Sequence, residues 1–147
     1  MDPDPGPHDP LLLGPPPSDR VLPDRRPLVT AILILLNLGF AAAVTLDERV
    51  LGNPFSLIDL GAKHRLLIQS GQHWRLLTAA FLHQGFLHLA VNMYALWMLG
   101  RFCEPIYGHG RFLLIYLGAA LGGSLASMRF TDEPSVGASG ALFGLLG

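Results

Sequence analysis

Four stretches of this chain are free of charge and rich in apolar residues, and the charged residues gather between them. The first lies between Arg26 and Asp47, twenty residues without a charge. At about 1.5 Å per helical residue it reaches across the roughly 30 Å hydrocarbon core of a bilayer, which predicts a transmembrane helix over residues 28–46. A second run extends from Leu76 to Gly100, a third from Phe112 to Met128 and a fourth from Pro134 to Gly147. They predict helices over 80–101, 111–129 and 137–147. The fourth run has 14 residues, too few to cross, so the sequence is expected to stop inside a helix, as part of a longer protein would. The pattern as a whole predicts an all-α membrane protein: a polytopic transmembrane helix bundle with three full helices and the start of a fourth.

The connection 47–75 exceeds the roughly 12–15 residues beyond which unstructured loops become uncommon. Leu57, Ile58, Leu60, Leu66, Leu67 and Ile68 alternate there with Asp59, Lys63, His64 and Arg65, a mixture suited to a segment lying along the membrane surface. Trp74 and Arg75 stand at the mouth of the second helix, where an indole and a snorkelling guanidinium are expected among lipid headgroups. Ahead of the first helix, residues 1–27 hold nine of the twelve prolines and eight charges. Such a stretch cannot bury enough surface to offset its ordering entropy, so it reads as a disordered proline-rich tail. It is no secretory signal, because its only apolar run is Leu11 to Leu13.

Composition agrees with the pattern: half of the 147 residues are hydrophobic and only 14% are charged, where globular chains carry roughly a quarter. The lipid bilayer is thus the first partner expected. A formal net charge of -1 offers no basic footprint, and nucleic acid is not expected as a partner. Cys103 is the single cysteine, which excludes an intrachain disulfide and a CxxC site. Flanking cations divide five against five between the two sides. Arg20, Arg25 and Arg26 cluster before the first helix and place the amino terminus in the cytoplasm.

Chemistry has to come from the few polar residues inside the apolar runs. Asn37 reads as an interhelical hydrogen-bonding group in the first helix. In the second run, His88 and Asn92 are four apart and share a helical face, while His83 is rotated away and falls near the helix start. An imidazole and a carboxamide at bilayer depth require partners, so both should point into the bundle. Taken alone they read as helix glue. The fourth run opens on Gly137-Ala138-Ser139-Gly140. By itself that tetrapeptide also reads as packing, since Gly118, Gly122, Gly123 and Ser127 with Gly140 and Gly144 make small-xxx-small seams. It is not a hydrolase elbow of the Gly-x-Ser-x-Gly form, because Ala141 replaces the second glycine. Yet a serine at the first turn of a helix brings an unpartnered backbone N–H and the positive end of the helix dipole. Together with N–H donors from His88 and Asn92, that makes acyl transfer possible.

Trp74-Arg75, then His83, His88 and Asn92, then Glu104 to Gly108, then Gly137-Ala138-Ser139-Gly140, in this order and spacing, resemble the rhomboid family of intramembrane serine proteases over about residues 60–147. The resemblance implies a rhomboid-type bundle of six helices with Ser139 on the fourth as nucleophile. His88, Asn92 and the Ser139 amide would form the oxyanion hole. It further implies a supporting place for His83, Gly137, Gly140 and the Trp74-Arg75 loop. The implied base is a histidine on the sixth helix, after Gly147, so this stretch alone is expected to be inactive as a protease. None of the six histidines present substitutes for it. Substrates implied are transmembrane proteins, cleaved in a cavity that admits water, and the expected location is a bacterial plasma membrane. No cofactor and no metal are called for. Two rivals stay open: a non-catalytic rhomboid-like protein that binds membrane clients, and a small transporter or channel subunit using His88 and Asn92. A metal site at His83 and His88 is disfavoured, since their spacing of five puts them on different helical faces and no carboxylate or thiolate partner is near.

Overall fold

A computed structural model describes residues 26–146. Up to residue 25, the stretch read as a disordered tail lies outside the described residues. Three long helices carry the fold: α1 (Leu28–Arg49), α5 (Phe86–Tyr107) and α6 (His109–Phe130). Short helices α2 (Ser56–Asp59), α3 (Arg65–Gln69) and α4 (Arg75–Thr78) occupy the connection between α1 and α5, and α7 (Ser139–Leu146) follows α6. Among the described residues there is no strand, only one isolated antiparallel bridge between Lys63 and Ser135. Helices α1 and α6 are each long and apolar enough to cross a membrane. The segment Arg75–Phe81 with α5 makes a third span if the pair is read as one element bent by 94°.

The second long helix therefore begins later than its apolar run suggests, at Phe86 rather than near 80. Arg75–Thr78 and a 3-10 turn at Ala79–Phe81 come first. The chain then breaks, and Gly85 takes φ +84° at the new start, a conformation open to glycine at little cost. Apolarity alone cannot locate such a break, because both halves are equally apolar.

Helix α1 has no side-chain cap of its own. Its exposed N–H groups are taken up from across the bundle by Glu104, in the last turn of α5. Glu104 accepts from the Val29 N–H (2.8 Å), the Thr30 N–H (2.8 Å) and the Thr30 hydroxyl (2.6 Å). A carboxylate at a helix amino terminus is favoured by the helix dipole, and here it is fully buried. Close approach at this crossing depends on Gly100, where a Cβ would meet Thr30 Oγ1 at 2.2 Å. His109 Nδ1 lies 2.6 Å from the other side of the same carboxylate.

One apolar core runs from Leu33 of α1 through Leu96 of α5 and Phe112 and Tyr116 of α6 to Leu142 and Leu145 of α7. A smaller one joins Val44, Ala62 and Leu82, fastening the surface loop to α1. Asn37 is buried; its amide donates to the Leu33 carbonyl of its own helix at 2.7 Å, and its side chain also meets the Tyr116 hydroxyl of α6. Large apolar side chains such as Ile32, Leu35, Leu114 and Leu125 stand exposed on the outer faces, as a lipid-facing surface requires.

Candidate active site

Ser139 is the first residue of α7, and the chain is fixed on both sides of it. The preceding segment is extended: Lys63 and Ser135 exchange backbone hydrogen bonds of 3.0 and 3.1 Å, and the Gly137 N–H donates to the Ala79 carbonyl at 2.8 Å. After it, α7 packs against α6 more closely than any other pair of elements. The seam uses small residues on both sides. A Cβ on Gly123 would stand 3.0 Å from Gly140 Cα, and one on Gly144 would stand 2.1 Å from Ala119 Cβ. Gly118 and Gly122, read as part of this seam, have nothing within 4 Å of a built Cβ and lie off it; Ala119 takes their place.

Gly137 does something else. Its φ is +123°, and a Cβ there would meet His88 Cε1 at 2.7 Å and Nε2 at 2.8 Å, with Ser139 Oγ at 3.9 Å. The imidazole of His88 thus lies over the bare Cα of Gly137, two residues before the serine. The two glycines of the tetrapeptide have separate tasks: Gly140 admits a neighbouring helix and Gly137 admits a ring. Asn92, one turn further along α5, is buried, and its Nδ2 donates to the His88 carbonyl at 2.8 Å. A carboxamide nitrogen carries two hydrogens, so one remains for another acceptor. Among the described residues, no hydrogen bond to Ser139 Oγ is formed by any histidine.

His83 departs from the helical-face reading. It precedes α5, where helical spacing does not apply, and its ring meets that of His88 edge-on with centroids 5.1 Å apart. Among the described residues, no third His, Cys, Asp or Glu joins them in a metal-binding group. His83 is buried with neither ring nitrogen hydrogen-bonded, so it touches the site through His88.

Trp74 and Arg75 divide between lipid and loop. The indole is 48% exposed, as an interfacial anchor should be. Arg75, expected to snorkel, turns inward instead. Its Nη1 donates to the carbonyls of Ile58 and Ala62, and its Nε to Gln72 Oε1 at 2.7 Å, with the guanidinium 4.7 Å from the Trp74 ring centre. Loop carbonyls without a strand or helix to serve them need such donors. A cavity of about 220 Å³ opens beside the serine, lined by Ser124, Ser127, Ser135, Gly137, Ser139 and Phe143 among others. Sequence reasoning singled out only part of that lining. Ser135 and Lys63 carried no signal, because their importance comes from a contact across more than seventy residues.

Residues 70–147 match the Rhomboid domain. Rhomboid protease GluP of Bacillus subtilis is 55% identical over 95 residues, covering 65% of this chain and 19% of the relative. RHOMBOID-like protein 5 of Arabidopsis thaliana is 44% identical over 116 residues, 75% of this chain and 37% of the relative. RHOMBOID-like protein 2 of the same plant is 46% identical over 112 residues, 74% and 35% respectively. The chain thus spans about a fifth to two fifths of the length of these curated relatives. With more than half of its length matched to the domain, and with the resembling motifs gathered around one serine, the chain belongs to the rhomboid family of membrane proteins.

Proposed function

We propose that the full-length protein is an intramembrane serine endopeptidase that cleaves transmembrane segments of other membrane proteins. The observation that carries this reading is the His88 ring lying over Gly137 beside Ser139. In the proposed reaction Ser139 Oγ attacks the scissile carbonyl and its proton passes to a histidine base on the sixth helix of the family's fold, outside these residues. Negative charge then develops on the carbonyl oxygen. His88, the second amide hydrogen of Asn92 and the Ser139 backbone N–H are the donors that would receive it. Donors held in place before the reaction stabilise the transition state, and removal of one costs on the order of 10²–10³ in kcat. Collapse of the intermediate breaks the peptide bond as the protonated histidine gives its proton to the leaving amine, and leaves an acyl ester on Ser139, which water admitted from the extracytoplasmic side hydrolyses. No metal enters this scheme, because a serine with a histidine base needs none. A bacterial plasma membrane and a cytoplasmic amino terminus are part of the same proposal.

GluP, 55% identical over 95 residues, is named a rhomboid protease, and the residues matched to the Rhomboid domain include Ser139; both support the reading of a protease. The test uses the full-length protein in a bilayer with a reporter transmembrane segment. Cleavage is expected in the wild type and none in Ser139→Ala. Cleavage that survives the substitution removes Ser139 from the reaction, and binding of the segment without any cleavage points to a client-binding protein instead.

A further inference from the structure

Lys63 lies in the loop between α1 and α4, ahead of the residues matched to the Rhomboid domain. It is fully buried, the only lysine or arginine among the described residues with no exposure at all. Its backbone forms the isolated bridge to Ser135. Its side chain reaches the end of α6, where Nζ donates to Ser127 Oγ at 3.0 Å and to the Thr131 carbonyl at 3.3 Å. Ser127 Oγ in turn lies 3.3 Å from Ser135 Oγ. One residue therefore ties three parts together: the loop, the last turn of α6 and the extended segment that leads to Ser139. Ser127, Ser135 and Ser139 line the same cavity of about 220 Å³.

We propose that Lys63 is a positioning residue for Ser139, its ammonium clamping the loop and the end of α6 onto residues 131–136 and so fixing where α7 begins. The inference rests on the reading of Ser139 as nucleophile. A buried charge is costly unless its donors are used, and here one acceptor, Ser127, lies in the last turn of α6 and the other, Thr131, opens the segment that leads to Ser139. The position also suits a cation, since the last turn of α6 presents the negative end of the helix dipole. An exposed Arg65–Asp132 ion pair reinforces the same junction from outside.

The charged groups around Lys63 are Asp132 and Glu133, which favour its charge, and Arg65, which opposes it; burial dominates and holds its pKa below the ordinary lysine value. The clamp is complete while Lys63 is protonated and weakens as pH rises through the lowered value, when charge-assisted bonds become neutral ones. Global stability does not fall with it. A depressed lysine pKa means that the unfolded chain binds the proton more tightly, so between the folded and unfolded values a rise in pH favours the fold. Loss of serine alignment without loss of stability is a signature that a merely structural lysine does not give.

The experiment uses the full-length protein with two readouts. The first is the rate at which a fluorophosphonate forms the Ser139 Oγ–phosphorus bond with departure of fluoride, followed against pH, with Ser139→Ala as control. The second is amide hydrogen exchange at Lys63 and Ser135 at neutral pH. Lys63→Met keeps the aliphatic stem and removes the charge. It is expected to slow labelling about tenfold, abolish the alkaline fall in rate and speed exchange at Ser135 about tenfold, the scale of one charged hydrogen bond. Ser127→Ala removes one acceptor and leaves the lysine in place; it is expected to move the alkaline fall to lower pH. Unchanged exchange at Ser135 in Lys63→Met, or an alkaline fall that persists in it, overturns the proposal. Should that variant lose protection throughout α1 and α5, Ser127→Ala decides, and an unmoved alkaline fall overturns it. Labelling of Ser139→Ala at the wild-type rate rejects the nucleophile reading instead, and exchange at Ser135 still reports on the clamp.

Discussion

Of the six glycines with a positive φ among the described residues, two flank the candidate site and differ in what surrounds them. Gly85, at φ +84°, has open space where a Cβ would be, whereas at Gly137, φ +123°, the space is filled by the His88 ring. Gly85→Ala is therefore expected to cost only the backbone strain of its φ +84°, ψ 161° conformation, about 1–3 kcal/mol of stability, with the site intact. Gly137→Ala must in addition displace His88, and displacements of about 1 Å near a reacting centre cost on the order of 10² in rate. Comparing thermal unfolding and reporter cleavage for the pair separates the two effects. Equal losses of cleavage in both would remove the His88–Gly137 contact from the site. His88 and Asn92 were legible as a pair because helical spacing fixes their common face. His83 was not, because the chain stops being helical just before Gly85, and the spacing rule that separated it from His88 has no force there.

At the level of elements, the helices were legible and their ends were not. Apolar length requires helices in a bilayer, since no water is present to satisfy backbone groups. Where each helix begins is decided by partners distant in sequence, and Glu104 is the clearest instance. Glu104→Ala leaves two backbone donors of α1 and the Thr30 hydroxyl without an acceptor in a buried place. At about 1–3 kcal/mol for each such group, unfolding in detergent should show a loss of roughly 3 kcal/mol or more. A loss under about 1 kcal/mol would mean that α1 is held by its apolar face alone. The α6–α7 seam makes a different prediction. Gly144→Ala puts a methyl group into Ala119, and overpacking of that kind costs about 1–3 kcal/mol. Because α7 carries Ser139 at its first turn, cleavage should fall further than stability does; a variant with reduced stability and full activity would show that the two helices move independently.

On the scale of the whole molecule, the loop between α1 and α4 is the part whose relation to the bilayer matters most. It presents Phe55, Leu66 and Trp74 outward while the Ile58 and Ala62 carbonyls face Arg75 and the Lys63 side chain turns in toward α6. Such a face belongs among headgroups rather than in water. The chain has two tryptophans, so Trp97→Phe, with any tryptophan outside these residues also replaced by Phe, leaves Trp74 as the reporter. Its fluorescence is expected to be quenched more strongly by lipids brominated near the headgroup than by those brominated at the acyl end. Stronger quenching from the acyl end would place the loop deeper, and none from either would place it in water.

The sequence by itself determined the class of solvent, the helical architecture and the apolar spans. All of these follow from composition and from spacings of a few residues, which the helix translates directly into position. It also sufficed to suggest the family. Only the tertiary structure decided which glycine serves packing and which admits His88, that Arg75 faces inward, that Glu104 caps a helix some seventy residues before it, and that Lys63 reaches the segment leading to Ser139. Each of these is a contact between residues far apart in the chain. A local pattern records which side chain is present but not which distant carbonyl, ring or amide the fold will bring against it.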